Sequence, residues 1–186
     1  TFAVGIVTSG MSSSEYPALL LIEDYLGSSR RYLGVQTKEL REKRGLTYFA
    51  FSRLSALRDC GLLTAFAGVK HEKVSEALTL MLKFLVELRD KPLPEKKVEQ
   101  LKIFHRQAIG IMLEVPYQAA TWLASNAFRG GKVEFESYVS DIDKVSSETI
   151  RNAAEQFLSP SRMALSVAGS PPDEKTLTNI MREKVE

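Results

Sequence analysis

The residues Leu40 to Tyr48, with the sequence Leu-Arg-Glu-Lys-Arg-Gly-Leu-Thr-Tyr, join a predicted helix to a predicted strand. Gly45 can close a helix that ends one or two residues earlier, because a residue without a Cβ atom readily adopts the left-handed conformation. The aromatic-rich run that begins at Tyr48 is typical of a β-strand. We therefore expect Arg41, on the last helical turn, and Tyr48, at the start of the strand, to point into one space.

An arginine and a tyrosine on two rigid elements are well suited to bind a peptide carbonyl group. A guanidinium group presents several N–H donors in a fixed plane, and a phenol adds one O–H donor. Each residue also has a purely structural interpretation. Arg41 can be a solvated cation that favours the negative end of its helix, and Tyr48 can be a strand residue that packs beside Phe49 or Phe51.

The composition is that of an ordinary globular domain of 186 residues, with 44% hydrophobic and 26% charged residues. The formal net charge is only +2, and basic and acidic side chains are interleaved. This balance argues against a dedicated nucleic-acid or membrane surface. No run of residues is long and apolar enough to predict a transmembrane helix. The composition does not distinguish a cytoplasmic from a periplasmic location.

Metal-ligand and nucleophile patterns are weak. Cys60 is the only cysteine, and His71 and His105 are the only histidines. Neither histidine has a second histidine at the spacing that a zinc site on a helix requires. We expect His71 to precede a helix at the surface, His105 to lie on a helix flank, and Cys60 to be a small filler at a hairpin.

The order of predicted elements indicates an α+β fold, with a mostly antiparallel sheet and helices packed on one face. The predicted strands are Phe2–Val7, Tyr48–Ser55, Gly61–Val69 and Arg162–Gly169. The predicted helices are Ala18–Leu26, a helix capped by Ser28 and Ser29 that runs to about Arg44, Glu72–Arg89, Glu95–Glu114, Tyr117–Phe128, Ser147–Leu158 and a frayed helix after Pro171. We expect Val98, Leu101, Phe104 and Ala108 to face inward, Trp122 to be in the core, and Gly68 to allow an extended peptide to approach an edge strand.

This pattern resembles the insulinase and mitochondrial-processing-peptidase family of pitrilysin-type zinc endopeptidases, which carry the inverted zinc motif. The resemblance rests on residues 24–30 (Asp-Tyr-Leu-Gly-Ser-Ser-Arg), 38–48 (Lys-Glu-Leu-Arg-Glu-Lys-Arg-Gly-Leu-Thr-Tyr), 61–68 (Gly-Leu-Leu-Thr-Ala-Phe-Ala-Gly) and the helix that follows. Members of this family pair two homologous halves around a closed chamber. One half carries a His-x-x-Glu-His motif, and the other supplies an arginine and a tyrosine that grip the peptide.

The resemblance implies that Arg41 and Tyr48 are this pair, with Arg41 binding the peptide backbone and Tyr48 donating to the carbonyl or oxyanion in the assembled enzyme. The chain lacks the His-x-x-Glu-His motif, so it resembles the non-catalytic C-terminal half, inactive alone, with no metal of its own and zinc on a homologous partner half. We expect residues 1–186 to form one such domain, either a fragment of a longer chain or one half of a two-half enzyme.

Two alternatives remain open at this level. Proteins of the same family serve as structural core subunits of the mitochondrial cytochrome reductase, and such a subunit needs no peptidase role. A small nucleic-acid module would rest on the basic residues Arg30, Arg31, Lys38, Arg41, Lys43 and Arg44. The near-neutral charge disfavours the module, and the presence of both Arg41 and Tyr48 favours the peptidase interpretation over the scaffold.

Overall fold

Four antiparallel strands form one sheet in the order β2-β3-β1-β4 in the structure, a computed structural model that describes residues 1–28 and 34–185. The strands are β1 (Phe2–Ser9), β2 (Thr47–Ala56), β3 (Cys60–Val69) and β4 (Met163–Val167). β2 and β3 form a hairpin, and β1 lies between β3 and β4. The strand order places β2 at one edge of the sheet.

The helices cover one face of this sheet. They are α1 (Tyr16–Leu26), the π-helix Thr37–Glu42, α2 (Val74–Asp90), α3 (Glu95–Leu113), α4 (Pro116–Arg129), α5 (Phe135–Asp143), α6 (Ser147–Phe157) and α7 (Glu174–Val185), with short 3-10 turns at His71–Lys73 and Pro160–Arg162. Val4 and Ile6 of β1 are fully buried beneath the helices, whereas Val7 on the opposite face is exposed. This arrangement confirms the predicted α+β fold. No helix of the described residues is long and apolar enough to cross a bilayer.

Leucine-rich faces of α1 and α2 form the centre of the core. The inward residues of α2 recur at helical spacing and are all buried, namely Val74, Ala77, Leu78, Met81, Leu85 and Leu88. They belong to the same buried cluster as fully buried residues of α1, including Leu19, Leu21 and Ile22. The 3.6-residue period therefore identified the buried face of α2 correctly.

The predicted inward face of α3 is confirmed at Val98 and Leu101 and was wrong at Phe104. Phe104 is 43% exposed, while Lys102, His105 and Ile109 are buried beside Val98 and Leu101. The polar residues are buried because each one has partners there. His105 donates from Nδ1 to Asp24 Oδ2 at 2.6 Å, and its Nε2 is hydrogen-bonded to the Tyr138 hydroxyl at 2.7 Å. Lys102 Nζ binds Glu99 and the backbone oxygen of Asp143.

Two other local predictions need correction. Cys60 is exposed, so it does not fill a hairpin interior. Ser28 forms a parallel bridge with Ser52, and the backbone N–H of Ser52 donates to the oxygen of Gly27 at 2.6 Å. The start of the helix that Ser28 was predicted to cap lies outside the described residues. α5 was not predicted as a helix. The proposed cap at Ser29 and the basic residues Arg30 and Arg31 lie outside the described residues.

Candidate peptide-binding site at the start of strand β2

The π-helix that carries Arg41 is fixed to the outer edge of β2. Gln36 Nε2 donates to Ser52 Oγ at 2.9 Å, and Thr37 Oγ1 donates to the backbone oxygen of Ala50 at 3.1 Å. These four residues are buried, so water does not compete strongly for the two bonds. The helix therefore has a defined position relative to the strand that it precedes.

The chain leaves this helix through the glycine turn that the sequence predicts. Gly45 has a φ of +58°, in the left-handed region, and no atom lies within 4 Å of where a Cβ would stand. The N–H of Gly45 donates to the oxygen of Arg41 at 3.0 Å, and the N–H of Leu46 donates to the oxygen of Leu40 at 2.8 Å. These bonds satisfy the last carbonyl groups of the helix and direct the chain into β2.

A β-bulge then sets the direction of Tyr48. Thr47 pairs with Val69, and Phe49 pairs with Gly68, the residue directly before Val69. Tyr48 is therefore an extra residue without a partner on β3. Thr47 Oγ1 lies 2.6 Å from the backbone oxygen of Gly68, which fixes the irregular pairing. Bulges of this kind turn a side chain away from the regular sheet. The Tyr48 side chain is consequently 84% exposed.

Gly68 serves this bulge and not a peptide at an edge. A Cβ atom at Gly68 would collide with the ring of Phe49. Gly68 also lies on β3, which has a neighbour on each side, so the predicted pairing of an extended peptide with an edge strand at this residue was wrong. The glycine provides the space into which the Phe49 ring folds.

Arg41 and Tyr48 lie face to face across the turn. The guanidinium carbon of Arg41 is 5.9 Å from the centroid of the Tyr48 ring, within the range of a cation–π contact. Tyr48 takes no part in the aromatic cluster of the strand, in which the Phe51 and Phe66 rings stack at 5.0 Å and Phe49 lies 5.9 Å from Phe51. The predicted convergence of Arg41 and Tyr48 is therefore present, and the packing interpretation of Tyr48 does not apply.

The neighbouring cations are bound to Glu39. Lys43 Nζ lies 2.6 Å from Glu39 Oε1, and Arg44 lies 2.7 Å from Glu39 Oε2. The hydrogen bonds from Lys43 and Arg44 lower the pKa of the Glu39 carboxyl to about 2. Arg41, by contrast, has no carboxylate within ion-pair distance among residues 1–28 and 34–185.

The histidine and cysteine side chains of this chain are not arranged to bind the zinc ion that is typical of the family it resembles. Both ring nitrogens of His105 are bonded inside the core. His71 is exposed and contacts the backbone oxygen of Ser170, and Cys60 lies at the far end of the sheet from the turn at Gly45. Within the described part of the chain, no three histidine, cysteine, aspartate or glutamate side chains are grouped to hold a metal.

Comparisons with known proteins agree with this architecture. A family model described as the peptidase M16 inactive domain matches residues 1–103. The chain is 23% identical over 149 residues to a probable inactive metalloprotease, YmfF, of Bacillus subtilis. This alignment covers 78% of this chain and 33% of that protein. It is 27% identical over 183 residues to an uncharacterized zinc protease of Mycobacterium leprae. This second alignment covers 96% of this chain and 40% of that protein.

A solved structure shows the same fold at low sequence identity. A chain in complex III2 from Candida albicans, solved with Inz-5 bound, aligns with a TM-score of 0.79 and 15% identity over 97% of this chain and 46% of that chain. The chain spans about a third to two fifths of the length of the curated relatives it matches. The family model covers more than half of the residues, so the chain belongs to the peptidase M16 inactive-domain family.

Proposed function

We propose that this chain is the substrate-binding, non-catalytic half of a zinc-dependent endopeptidase. Arg41 binds a backbone carbonyl of the peptide, and the Tyr48 hydroxyl donates a hydrogen bond to the carbonyl oxygen under attack. Hydrolysis requires a homologous half that bears the metal, on the same polypeptide or on a separate subunit. The observation that carries the proposal is the pairing of an uncommitted guanidinium with a bulged, exposed phenol 5.9 Å away.

The two side chains are available to a substrate. The Tyr48 hydroxyl makes no hydrogen bond within the described residues, and Arg41 forms no ion pair there. Their mutual contact is exposed, and such a cation–π contact stabilises by only about 0.5–1 kcal/mol. A peptide carbonyl can therefore replace this contact at little energetic cost.

The backbone around the pair favours a fixed donor geometry. The π-helix is bonded to β2 through Gln36 and Thr37, and the bulge at Tyr48 is bonded to β3 through Thr47. A donor that is already in position when negative charge develops on the oxygen is worth roughly 2.7–4 kcal/mol in the transition state. Tyr48 supplies such a donor, while Arg41 fixes the register of the peptide beside it.

Removal of one oxygen atom tests the role of Tyr48. In the enzyme assembled with its metal-bearing half, Tyr48→Phe should lower kcat about a hundredfold or more, with the unfolding transition unchanged, because only the oxyanion donor is lost. Tyr117→Phe is the matched control, since Tyr117 is 80% exposed on α4 and lies outside the site. Steady-state peptide hydrolysis measures both variants, and near-parental turnover for Tyr48→Phe would refute the role.

A second candidate function is a structural subunit with no peptidase role. The close fold similarity to a chain in complex III2 favours it. A scaffold would show no peptide binding that depends on Arg41, and Arg41→Met would leave every measured property of its complex unchanged. A loss of peptide binding in Arg41→Met, with assembly intact, selects the peptidase half.

A further inference from the structure

A cleft of about 760 Å³ opens at the opposite end of β2 from the Arg41–Tyr48 pair. One wall is the loop before α1, which is bonded to the β2–β3 turn through Met11 N–H to the oxygen of Leu57 at 2.8 Å. Helices α4, α5 and α6 contribute the other walls. Nine residue steps separate Tyr48 from Leu57, at about 3.3 Å each, so this wall is bonded to the β2–β3 turn at a point roughly 30 Å along the strand from the pair.

Asn126 provides an unpaired amide at this cleft. It is the buried residue of α4, with 4% exposure, on a helix whose other side chains are half-buried or exposed. Its side-chain amide makes no hydrogen bond in the part of the chain that the structure describes, yet neither amide atom is sealed from solvent. Asn126 is one of the residues that line the cleft, and its Oδ1 atom lies on the side of Gly131, another lining residue. An amide with so little exposure and no partner among the described residues can make few hydrogen bonds to water, which favours a ligand that pairs with it.

The charges at the cleft leave one ammonium group loosely held. Lys132 Nζ lies 2.6 Å from Asp141 Oδ2, and Lys144 Nζ lies 3.4 Å from Asp141 Oδ1. Two cations therefore share one carboxylate. The longer, exposed pair of Lys144 with Asp141 contributes little to stability. The other acid at the cleft, Glu15, accepts hydrogen bonds from the hydroxyls of Ser13 and Ser14. Lys144 is thus the charge best able to turn toward an anionic ligand.

We propose that this cleft binds a short peptide with a free C-terminal carboxylate. The Asn126 side-chain amide can donate a hydrogen bond to the oxygen of a peptide group and accept one from a peptide N–H. It can therefore form two hydrogen bonds with the backbone of the ligand. Lys144 binds the terminal carboxylate. The volume lies within the roughly 300–1,000 Å³ of typical small-ligand sites. The site is independent of Arg41 and Tyr48 and does not rest on the proposed function.

Heteronuclear NMR of the 186-residue chain tests the proposal with acetyl-Ala-Ala-Ala as the probe. Trp122, the only tryptophan, contacts the ring of Tyr138 edge-on at 5.5 Å, and Tyr138 lines the cleft. We expect a saturable shift of the Trp122 indole signal with the free-acid peptide. Its C-terminal amide should bind at least tenfold more weakly, and acetate alone should not bind. Acetate binding as tight as that of the peptide, or no saturable shift, overturns the proposal.

Two variants separate binding from folding. Asn126→Leu keeps the size and removes the amide, so we expect at least tenfold weaker binding together with a Tm about 2–4 °C higher. Lys144→Met should weaken binding of the free-acid peptide until its affinity equals that of the C-terminal amide. Lys83→Met, in a surface pair with Glu87 on α2, is the matched control and should change neither property. Undiminished peptide binding in Asn126→Leu assigns this amide to the core and overturns the proposal.

Discussion

Arg41 and Tyr48 differ from the polar side chains around them, because among residues 1–28 and 34–185 Arg41 forms no ion pair and the Tyr48 hydroxyl makes no hydrogen bond. Lys43 and Arg44 are only two and three residues away, yet both bind Glu39. This division of roles follows from position on the helix end, since Glu39 reaches residues four and five positions later. Arg41 instead faces the Tyr48 ring. Lys43 and Arg44 are therefore partners of a carboxylate.

The carboxyl group of Glu39 should titrate far below an ordinary glutamate. Its pKa of about 2 is lower than the usual 4.5, so the interaction is fully present above about pH 4.5 and is lost as the pH falls toward 2. Lys43→Gln or Arg44→Gln should raise the Glu39 pKa, because each removes a hydrogen bond to the charged form.

Carbon-detected NMR titration of the Glu39 side chain measures this effect directly. Lys73→Gln, which removes a surface ion pair with Glu76, is the control and should leave the Glu39 pKa unchanged. A Glu39 pKa near 4.5 in the parent protein would show that the two cations do not hold the carboxylate.

At the scale of elements, the β-bulge at Tyr48 is the feature that directs the phenol outward. The helix end at Gly45 could be predicted because it depends on the local preference of one glycine. The bulge could not, because it depends on how Thr47 and Phe49 pair with Val69 and Gly68 some twenty residues later. Strand pairing leaves no local signature in a single sequence. The pattern therefore predicted which residues meet but not how Tyr48 leaves the sheet.

Gly68→Ala should destabilise the protein by about 1–3 kcal/mol, because the added methyl group collides with the Phe49 ring and forces the hairpin to adjust. Gly110→Ala is the matched control, since a Cβ atom at this position of α3 meets nothing within 4 Å. That change should stabilise the helix by about 0.5–1 kcal/mol. Urea unfolding measures both, and equal stability of the two variants would contradict the packing of Phe49 on Gly68.

Across the whole molecule, one polar network links three helices that enclose the core. Asp24 of α1, His105 of α3 and Tyr138 of α5 are joined by two short hydrogen bonds. Hydrophobic periodicity cannot predict this network, because it assigns polar residues to the surface and so chose Phe104 in place of His105. The same limitation explains why α5 was missed, since α5 buries only Tyr138 and Ile142. The buried face of α2, made of apolar residues alone, was predicted correctly.

Tyr138→Phe should destabilise the protein by about 1–3 kcal/mol, because it leaves the buried Nε2 atom of His105 without its hydroxyl partner. Tyr117→Phe removes a hydroxyl from an exposed tyrosine and should be neutral within about 0.5 kcal/mol. Chemical unfolding of both variants tests the network. A neutral Tyr138→Phe would mean that the hydroxyl contributes nothing to the packing of α5 on α3.

If Arg41 and Tyr48 act on the same bound peptide, a double-mutant cycle will show that their contributions are coupled. The measurement is kcat/KM for peptide hydrolysis by the enzyme assembled with its metal-bearing half, for Arg41→Met, Tyr48→Phe and the double variant. We predict that each single change lowers kcat/KM and that the double variant loses less than the product of the two single losses, because the residues share one substrate. Parental kcat/KM in both single variants would contradict the account.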